Sequence, residues 1–273
     1  MDGPLLTFLS DYGYGDEFVG VCHGVIARRC PQAQVIDITH GIPRHDVLVG
    51  ALTLSAAIPY MPRGVHLAVV DPEVGAVDEH ARRAVAILTE QEQVLVGPDN
   101  GLLSLALERL GGAVEAVDIW RSPERLQPVS ATFHGRDIFA PVAGAIAAGA
   151  PLAELGEPLD VKELRVLELP QARIEGPELY LHVLHIDHFG NLILDATHEQ
   201  LEQIGLRLGQ RLLVEVSGET HRARYTRAFA DVPGGELLFY EDAQQMAALA
   251  INRGSAAESL AVNAGSELRL RVL

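Results

Sequence analysis

Lysine is almost missing from this 273-residue chain: Lys162 stands alone against 20 arginines. We read that bias as compositional. It removes Schiff-base chemistry unless Lys162 supplies it, and Asp-Val-Lys-Glu reads as a solvated turn. Cysteine is nearly as scarce. Cys22 and Cys30 would share one helix or its end, so a disulfide requires the chain to bend and a zinc site requires ligands from elsewhere. Two reduced, buried thiols are the expected state. No stretch approaches the roughly 18 apolar residues of a membrane helix. The opening Met-Asp-Gly-Pro-Leu-Leu-Thr-Phe-Leu lacks the basic and long apolar regions of a signal peptide, so a reducing cytoplasm is the expected location. Positive charge is short as well: 37 acidic residues against 21 basic give a net charge of −16. Nucleic-acid affinity rests on cations against phosphate, so a nucleic-acid partner is not expected. A cationic small substrate is compatible with this charge.

Hydrophobic residues make up 48% and charged residues 21%, the balance of a folded globular protein. At about 100–200 residues per domain, the length fits one large domain or two unequal ones. Short apolar strands at 4–9, 34–39, 66–70, 83–88, 93–96 and 113–119 alternate with helical spacing at 17–29, 46–59, 102–110 and 138–149. That alternation predicts an α/β domain with a mostly parallel central sheet over residues 1–165. Ligands of such sheets gather beyond the carboxyl ends of strands. Ser10-Asp11, Thr39-His40, Asp71, Asp99-Asn100 and His134 follow strands there. Past about 165 the texture changes to strand-length runs at 179–195, 211–216, 221–228 and 267–273 with Gly and Pro turns between them. Only 198–205 and 242–250 have a helical look. A smaller, antiparallel β domain is predicted for 170–273, reached through a connector. There is no internal repeat or low-complexity segment.

Taken singly, the motifs are weak. Gly13-x-Gly15-x-x-x-x-Gly20 sits where a dinucleotide fingerprint would, but its third glycine is late and Asp11 and Asp16 would repel a pyrophosphate. No Walker A loop, Gly-x-Ser-x-Gly elbow or His-Glu-x-x-His motif is present. His40, His45-Asp46, Asp71, His134 and Asp137 could compose a metal set, yet their spacing fits no common metal signature and each has an ordinary reading as a capping or solvated residue. Arg82-Arg83 reads alone as a solvated strand entry, and Asp187-His188-Phe189-Gly190-Asn191 as a tight turn.

In order along the chain the motifs are far more specific. Ser-Asp-Tyr-Gly at 10–13, Asp-Ile-Thr-His-Gly-Ile at 37–42, Val-Val-Asp-Pro-Glu-Val-Gly at 69–75 and Gly-Pro-Asp-Asn-Gly-Leu at 97–102 come first. Thr-Phe-His-Gly-Arg-Asp-Ile-Phe-Ala-Pro at 132–141 and His-Ile-Asp-His-Phe-Gly-Asn-Leu at 185–192 complete the series. The chain resembles, over nearly its whole length, the S-adenosyl-L-methionine (SAM) hydroxide adenosyltransferases, adenosine-forming SAM hydrolases related to the fluorinase and chlorinase.

The resemblance implies a two-domain subunit and a homotrimer, with SAM held between the N-terminal domain of one subunit and the C-terminal domain of the next. It implies no cofactor and no metal, SAM being the substrate. It puts the hydrolytic residues at Asp71, Arg82 and His134. The stretch from Gly75 to Arg82 is longer than the family pattern, which leaves Arg83 as the alternative. Glu73 stands where the family has glycine. Asp11 matches the carboxylate that accepts from both ribose hydroxyls. Asp187 would pair with the methionine ammonium, Phe189 and Phe229 offer faces to adenine, and Asn191 reads its edge. The backbone around Asn252 and Arg253 resembles the other adenine wall. Asp242-Ala243 replaces the family's Asn-Ser, and Asp242 would stand in for the lost hydroxyl. The halogenases carry a long loop between the two strands before Pro-x-Asn-Gly, whereas here Thr89–Gln93 is short. That and the Asp-Arg-His set favour water over halide. A halogenase-like enzyme and a non-catalytic SAM-binding protein are the alternatives.

Overall fold

The computed structural model describes residues 3–75 and 82–273. The described residues divide into two compact units, one ending at Leu167 and the other running Glu168–Leu273.

The first unit contains, in order, β1 (Leu5–Ser10), α1 (Phe18–Arg29), β2 (Gln34–Thr39), α2 (Val47–Ala57), β3 (Val65–Val69), β4 (Ala84–Thr89), β5 (Val94–Pro98), α3 (Ser104–Arg109), β6 (Ala113–Asp118), α4 (Ala140–Ala147) and β7 (Glu157–Leu159). One seven-stranded sheet has the order β2-β1-β3-β5-β4-β6-β7. Its first four strands are parallel. β4, β6 and β7 pair antiparallel. Successive side chains alternate between the sheet's two faces. Leu67, Val69, Ala84 and Ala86 join Val19, Cys22, Val25 and Ile26 of α1 and the small residues of α4 in one core. Ala68, Val70, Val85 and Ile87 join Val49 and Leu54 of α2 and Ala106 of α3 in the other. Strands covered on both faces read as continuous apolar runs, which is why β1, β3, β4 and β5 were legible in the sequence. Each large apolar side chain buried here contributes roughly 1.5–3 kcal/mol. Cys22 and Cys30 are free and buried.

One topological fact positions the functional groups. β4 runs antiparallel to β5, with Ala84 opposite Pro98. The entry to β4 therefore lies at the carboxyl end of β3 and β5, and Arg82-Arg83 return to the edge where Asp71 leaves β3. A π-helical turn, Gly135–Phe139, follows His134 and leads into α4, so the predicted helix at 138–149 begins as a wider turn.

The second unit contains β8 (Arg173–Glu175), β9 (Glu178–Ile186), β10 (Leu192–Thr197), α5 (His198–Gln203), β11 (Arg211–Val216), β12 (Glu219–Tyr225), β13 (Leu237–Glu241), β14 (Met246–Ile251), α6 (Ala256–Leu260) and β15 (Glu267–Val272). The strand order β10-β14-β13-β12-β11-β15-β9-β8 closes through a β10–β9 pairing. The result is an antiparallel-dominated barrel with one parallel pair, β12–β13. Leu179, Leu181 and Val183 of β9, Leu212 and Val214 of β11 and Leu268 and Leu270 of β15 fill its core.

The helix predicted at 242–250 is instead a turn followed by β14. Its alanines, glutamines and methionine favour a helix intrinsically, but that preference amounts to tenths of a kcal/mol per residue and yields to tertiary packing. Ala247 and Leu249 enter the barrel core, while Ala248 and Ala250 pack outside with Val232, Leu238 and Tyr240. Asp242 Oδ1 accepts from Gln244 N at 2.8 Å and Met246 N at 2.9 Å, an Asx-type turn that starts the strand. The short α6 was not anticipated; Ser255 Oγ caps it by accepting from Glu258 N at 3.1 Å.

Candidate functional site

In the first unit a cavity of about 290 Å³ opens beyond the carboxyl ends of β1 and β3. Asp11, Tyr12, Phe18, His45, Asp71, Phe133 and His134 are among its lining residues. Asp71 and His134 are buried, as is the Arg82 that joins them. Arg82 Nε lies 3.0 Å from each Asp71 oxygen, and Arg82 Nη2 also donates to Asp71 Oδ2. The same Nη2 lies 2.9 Å from His134 Nδ1. A guanidinium has donors only, so Nδ1 must be the acceptor and the remaining proton of neutral His134 belongs to Nε2. Burial, and then the Arg82 charge, hold the His134 pKa below its ordinary value, although the Asp71 charge opposes them. The imidazole is therefore neutral at neutral pH.

Aromatic rings enclose this triad. Arg82 Cζ lies 5.2 Å from the Phe139 ring centre and 6.0 Å from that of Trp120. Trp120 meets His134 edge to face at 5.1 Å. The charged pair is thus largely withdrawn from water, which strengthens its electrostatic interactions.

Asp11 Oδ2 accepts from His45 N at 2.9 Å. His45 has φ 66°, an uncommon conformation for a residue other than glycine. It immediately precedes Asp46, whose Oδ1 caps α2 by accepting from Val49 N at 2.9 Å. A carboxylate accepts several hydrogen bonds, so this anchor leaves Asp11 able to accept more. On the other wall Tyr12, Phe18 and Phe133 meet at centroid distances of 5.1–5.9 Å. A Cβ on residue 135 would stand 2.0 Å from the Tyr12 hydroxyl, so Gly135 permits this wall. Burial raises the Tyr12 pKa well above its ordinary value and keeps it a phenol.

The second unit carries a separate polar cluster in the β9–β10 turn. Asp187 Oδ1 accepts from Phe189 N at 2.8 Å and Asn191 N at 2.9 Å. Its Oδ2 accepts from Asn191 Nδ2 at 2.7 Å. Gly190, at φ +81°, leaves space that a Cβ would take from Ser255, and its carbonyl accepts from Ala257 N of α6 at 3.0 Å. Asn191 is buried and Phe189 is 74% exposed. Burial, then the charges of Asp187 and Asp242, push the Tyr240 phenol up to about 12. Phe229 lies 5.1 Å from Tyr240. Asn252 Nδ2 donates to Val232 O at 2.7 Å, and Arg253 adopts φ 61°.

Two family models match the chain. The N-terminal domain of SAM hydroxide adenosyltransferase matches residues 6–156, and the C-terminal domain matches residues 181–269. The chain belongs to the SAM hydroxide adenosyltransferase family. An (R)-S-adenosyl-L-methionine hydrolase of Salinispora arenicola is 45% identical over 98% of this chain and 97% of that protein. One of Thermus thermophilus is 40% identical over 96% and 98%. A fluorinase of Nocardia brasiliensis is 27% identical over 98% and 97%. Among solved structures, an uncharacterized conserved protein from Thermotoga maritima superposes with a TM-score of 0.89 at 33% identity, covering 97% of this chain and 99% of that one.

Within this chain Asp71, Arg82 and His134 meet, with Asp11 on the same cavity. Arg83 does not join them. Its Nε lies 3.0 Å from Asp99 Oδ2 and its Nη1 2.8 Å from Glu163 Oε2. Glu73 faces Arg165 at 3.4 Å. The stretch 76–81, on whose length the choice of arginine turned, lies outside the described residues. Asp187, Asn191 and Phe189 share one turn. Asp242 and Asn252 have structural duties of their own, in the turn before β14 and on the Val232 carbonyl. The residues weighed and set aside as a metal set have other partners: Asp71 and His134 hold Arg82, Asp137 pairs with Arg136, and Asp46 caps α2. Sequence reasoning assigned no role to Tyr12, Phe18, Phe133 or Tyr240. Tyr12 and Phe133 lie inside quoted motifs, beside residues that did receive one.

Proposed function

We propose that this chain hydrolyses SAM at ribose C5′ to adenosine and L-methionine. The observation that carries the reading is the buried Asp71–Arg82–His134 set against the same cavity as Asp11. Methionine leaves as a neutral thioether from a sulfonium, so no general acid is required. The reaction requires an in-line, hydroxide-like water and exclusion of bulk solvent. In the transition state the charges of nucleophile and sulfonium are partly annihilated, and a poorly solvated site favours that change over water.

In this reading Arg82 supplies the positive charge that favours hydroxide. His134 Nδ1 is engaged by Arg82, so His134 holds and tunes the guanidinium, and the Asp71 carboxylate is the acceptor for the water's proton. General-base assistance of this kind is worth roughly 10²–10⁴-fold. Asp11 takes the ribose hydroxyls, with Tyr12, Phe18 and Phe133 as the apolar wall beside them. In the second unit Asp187 serves the methionine ammonium and Asn191 the adenine edge, with Phe189, Phe229 and the backbone at Asn252 and Arg253 as its walls. Asp242 is the less suited substitute for a hydroxyl, because its Oδ1 already accepts two backbone N–H groups. No cofactor enters this chemistry.

We further infer a homotrimer with each site shared between two subunits. The two free, buried thiols support a reducing cytoplasm as its location. No described helix is long and apolar enough to cross a membrane. Against halide as nucleophile stands the tight β4–β5 turn, closed by Thr89 N on Gln93 O at 2.9 Å. Incubation of the pure protein with SAM in EDTA, followed by chromatography, tests the reading. Adenosine and methionine are expected. Unchanged SAM would leave a binding protein, and S-adenosylhomocysteine would indicate a methyl transfer.

A further inference from the structure

His23, Asp37 and His40 converge outside the cavity. One ligand atom from each lies within 4.8 Å of the others. His23 is on α1, Asp37 on the edge strand β2, and His40 directly after β2. His23 Nε2 is 2.8 Å and His40 Nε2 is 3.1 Å from the same oxygen, Asp37 Oδ1. The second contact is close but misdirected: His40 Nε2 is buried and makes no hydrogen bond, and His40 itself is 0% exposed. Leaving such a buried nitrogen without a partner is unfavourable. In the tautomer where His40 Nδ1 donates to Ser10 Oγ, Nε2 presents a lone pair beside a carboxylate oxygen that a second imidazole also approaches, the arrangement that a cation between them would satisfy.

We propose that His23, Asp37 and His40 form a binding site for one divalent first-row transition-metal ion, with zinc as the principal occupant. Two imidazoles and one carboxylate are the donor set such ions take, at bond lengths near 2.0–2.2 Å. Donors around a tetrahedral or octahedral ion at that range stand about 3.0–3.4 Å apart, close to the two histidine–carboxylate spacings here, 2.8 and 3.1 Å. The outer partner is already in place. Ser10 Oγ lies 2.7 Å from His40 Nδ1, the contact that fixes the ring with Nε2 toward a metal. Phe8 packs edge to face against His40 at 4.6 Å and Tyr14 at 5.2 Å. Side chains of His23 and Asp37 are 35% and 27% exposed, which leaves an entry path and room for water ligands.

The site is separate from the hydrolytic groups but braces the segment that carries Asp11 and Tyr12. His40 holds Ser10 through its ring and Gly13 N through its carbonyl, at 2.7 Å each. The ion touches none of Asp71, Arg82 or His134, so its proposed role is structural.

The test uses the full chain, stripped with EDTA and dialysed. Zinc is titrated by calorimetry and cobalt by visible absorption. Wild type should bind one equivalent, with cobalt d–d bands of nitrogen and oxygen coordination and a raised Tm. His23→Gln and Asp37→Asn should each weaken zinc binding by about a hundredfold while keeping the circular dichroism of the metal-free wild type. His221→Gln, in the second unit, should bind as wild type does. Absence of stoichiometric binding, or zinc affinity unchanged in both folded ligand variants, would overturn the proposal. Hydrolysis of SAM is not the readout, so the outcome is independent of the proposed reaction.

Discussion

Arg82 and Arg83 are consecutive yet serve different partners. Arg82 is buried against Asp71 and His134, whereas Arg83 reaches Asp99 and Glu163. Neighbours on extended chain point to opposite sides, so one position selects the arginine that meets Asp71 and His134. Arg82→Ala should lower kcat by orders of magnitude with little change in KM, because its charge acts on the nucleophile in the transition state. Arg82→Lys should recover only part of the rate, since an ammonium lacks the guanidinium's fixed fork. Arg83→Ala should hold its rate within a few-fold and lose about 1–3 kcal/mol of stability through the buried Asp99 carboxylate. Steady-state kinetics with urea denaturation separates these outcomes. A dead Arg83→Ala beside an active Arg82→Ala would reverse the assignment.

Asp187 makes a second prediction. Its carboxylate organises the β9–β10 turn through three N–H donors, so Asp187→Asn should weaken both SAM and adenosine somewhat. Only SAM carries an ammonium, and removing one partner of a desolvated charge pair costs about 2–5 kcal/mol. Calorimetry should show at least tenfold more loss for SAM. Equal loss would leave Asp187 as a turn-forming residue alone.

The first unit was legible because its strands are covered on both faces and its helices show regular apolar spacing. The second was legible as β structure but not in register. Asp242–Ala250 carries helix-favouring residues that packing forces into a turn and a strand, and α6 is too short to leave a period. The Asp71–Arg82–His134 set was accessible through family resemblance. Spacing alone could not give it, because the antiparallel β4 is what returns Arg82 to Asp71. His23 escaped notice for the same reason: its helix and the β2 edge meet only in three dimensions.

Two buried histidines away from the proposed metal site, His66 and His134, make stability pH-dependent. His66 lies between Thr7 Oγ1 at 2.9 Å and Gln93 Oε1 at 2.6 Å, and burial lowers its pKa despite the Gln93 bond. The His134 pKa is lowered too, by burial and then Arg82. Both groups are neutral in folded and unfolded chains above their ordinary value of 6.5. Below it the unfolded chain takes protons that the folded chain refuses, so stability should fall with pH until the folded pKa values are passed. Each unit of lowering corresponds to about 1.4 kcal/mol. Urea denaturation across about pH 5–8 measures it. His198, whose pKa Glu241 raises, pulls the other way, so wild type is compared with His66→Gln; a pH slope unchanged by that substitution would contradict the neutral assignment of His66.

The proposed sharing of each site between two subunits predicts complementation. His134→Ala removes a group of the first unit, and Asn191→Ala one of the second. Each variant should be inactive alone. Mixed and allowed to exchange subunits, they should regain part of the activity, since some sites would draw an intact half from each chain. Proven exchange without recovery would place both halves of a site in one subunit.

The most direct test of attack at C5′ is hydrolysis of SAM in ¹⁸O-water with mass spectrometry of both products. The account predicts label in the 5′-hydroxyl of adenosine, none in methionine, and no 5′-chloroadenosine when chloride is saturating. Label in methionine, or methylthioadenosine in place of adenosine, would contradict it.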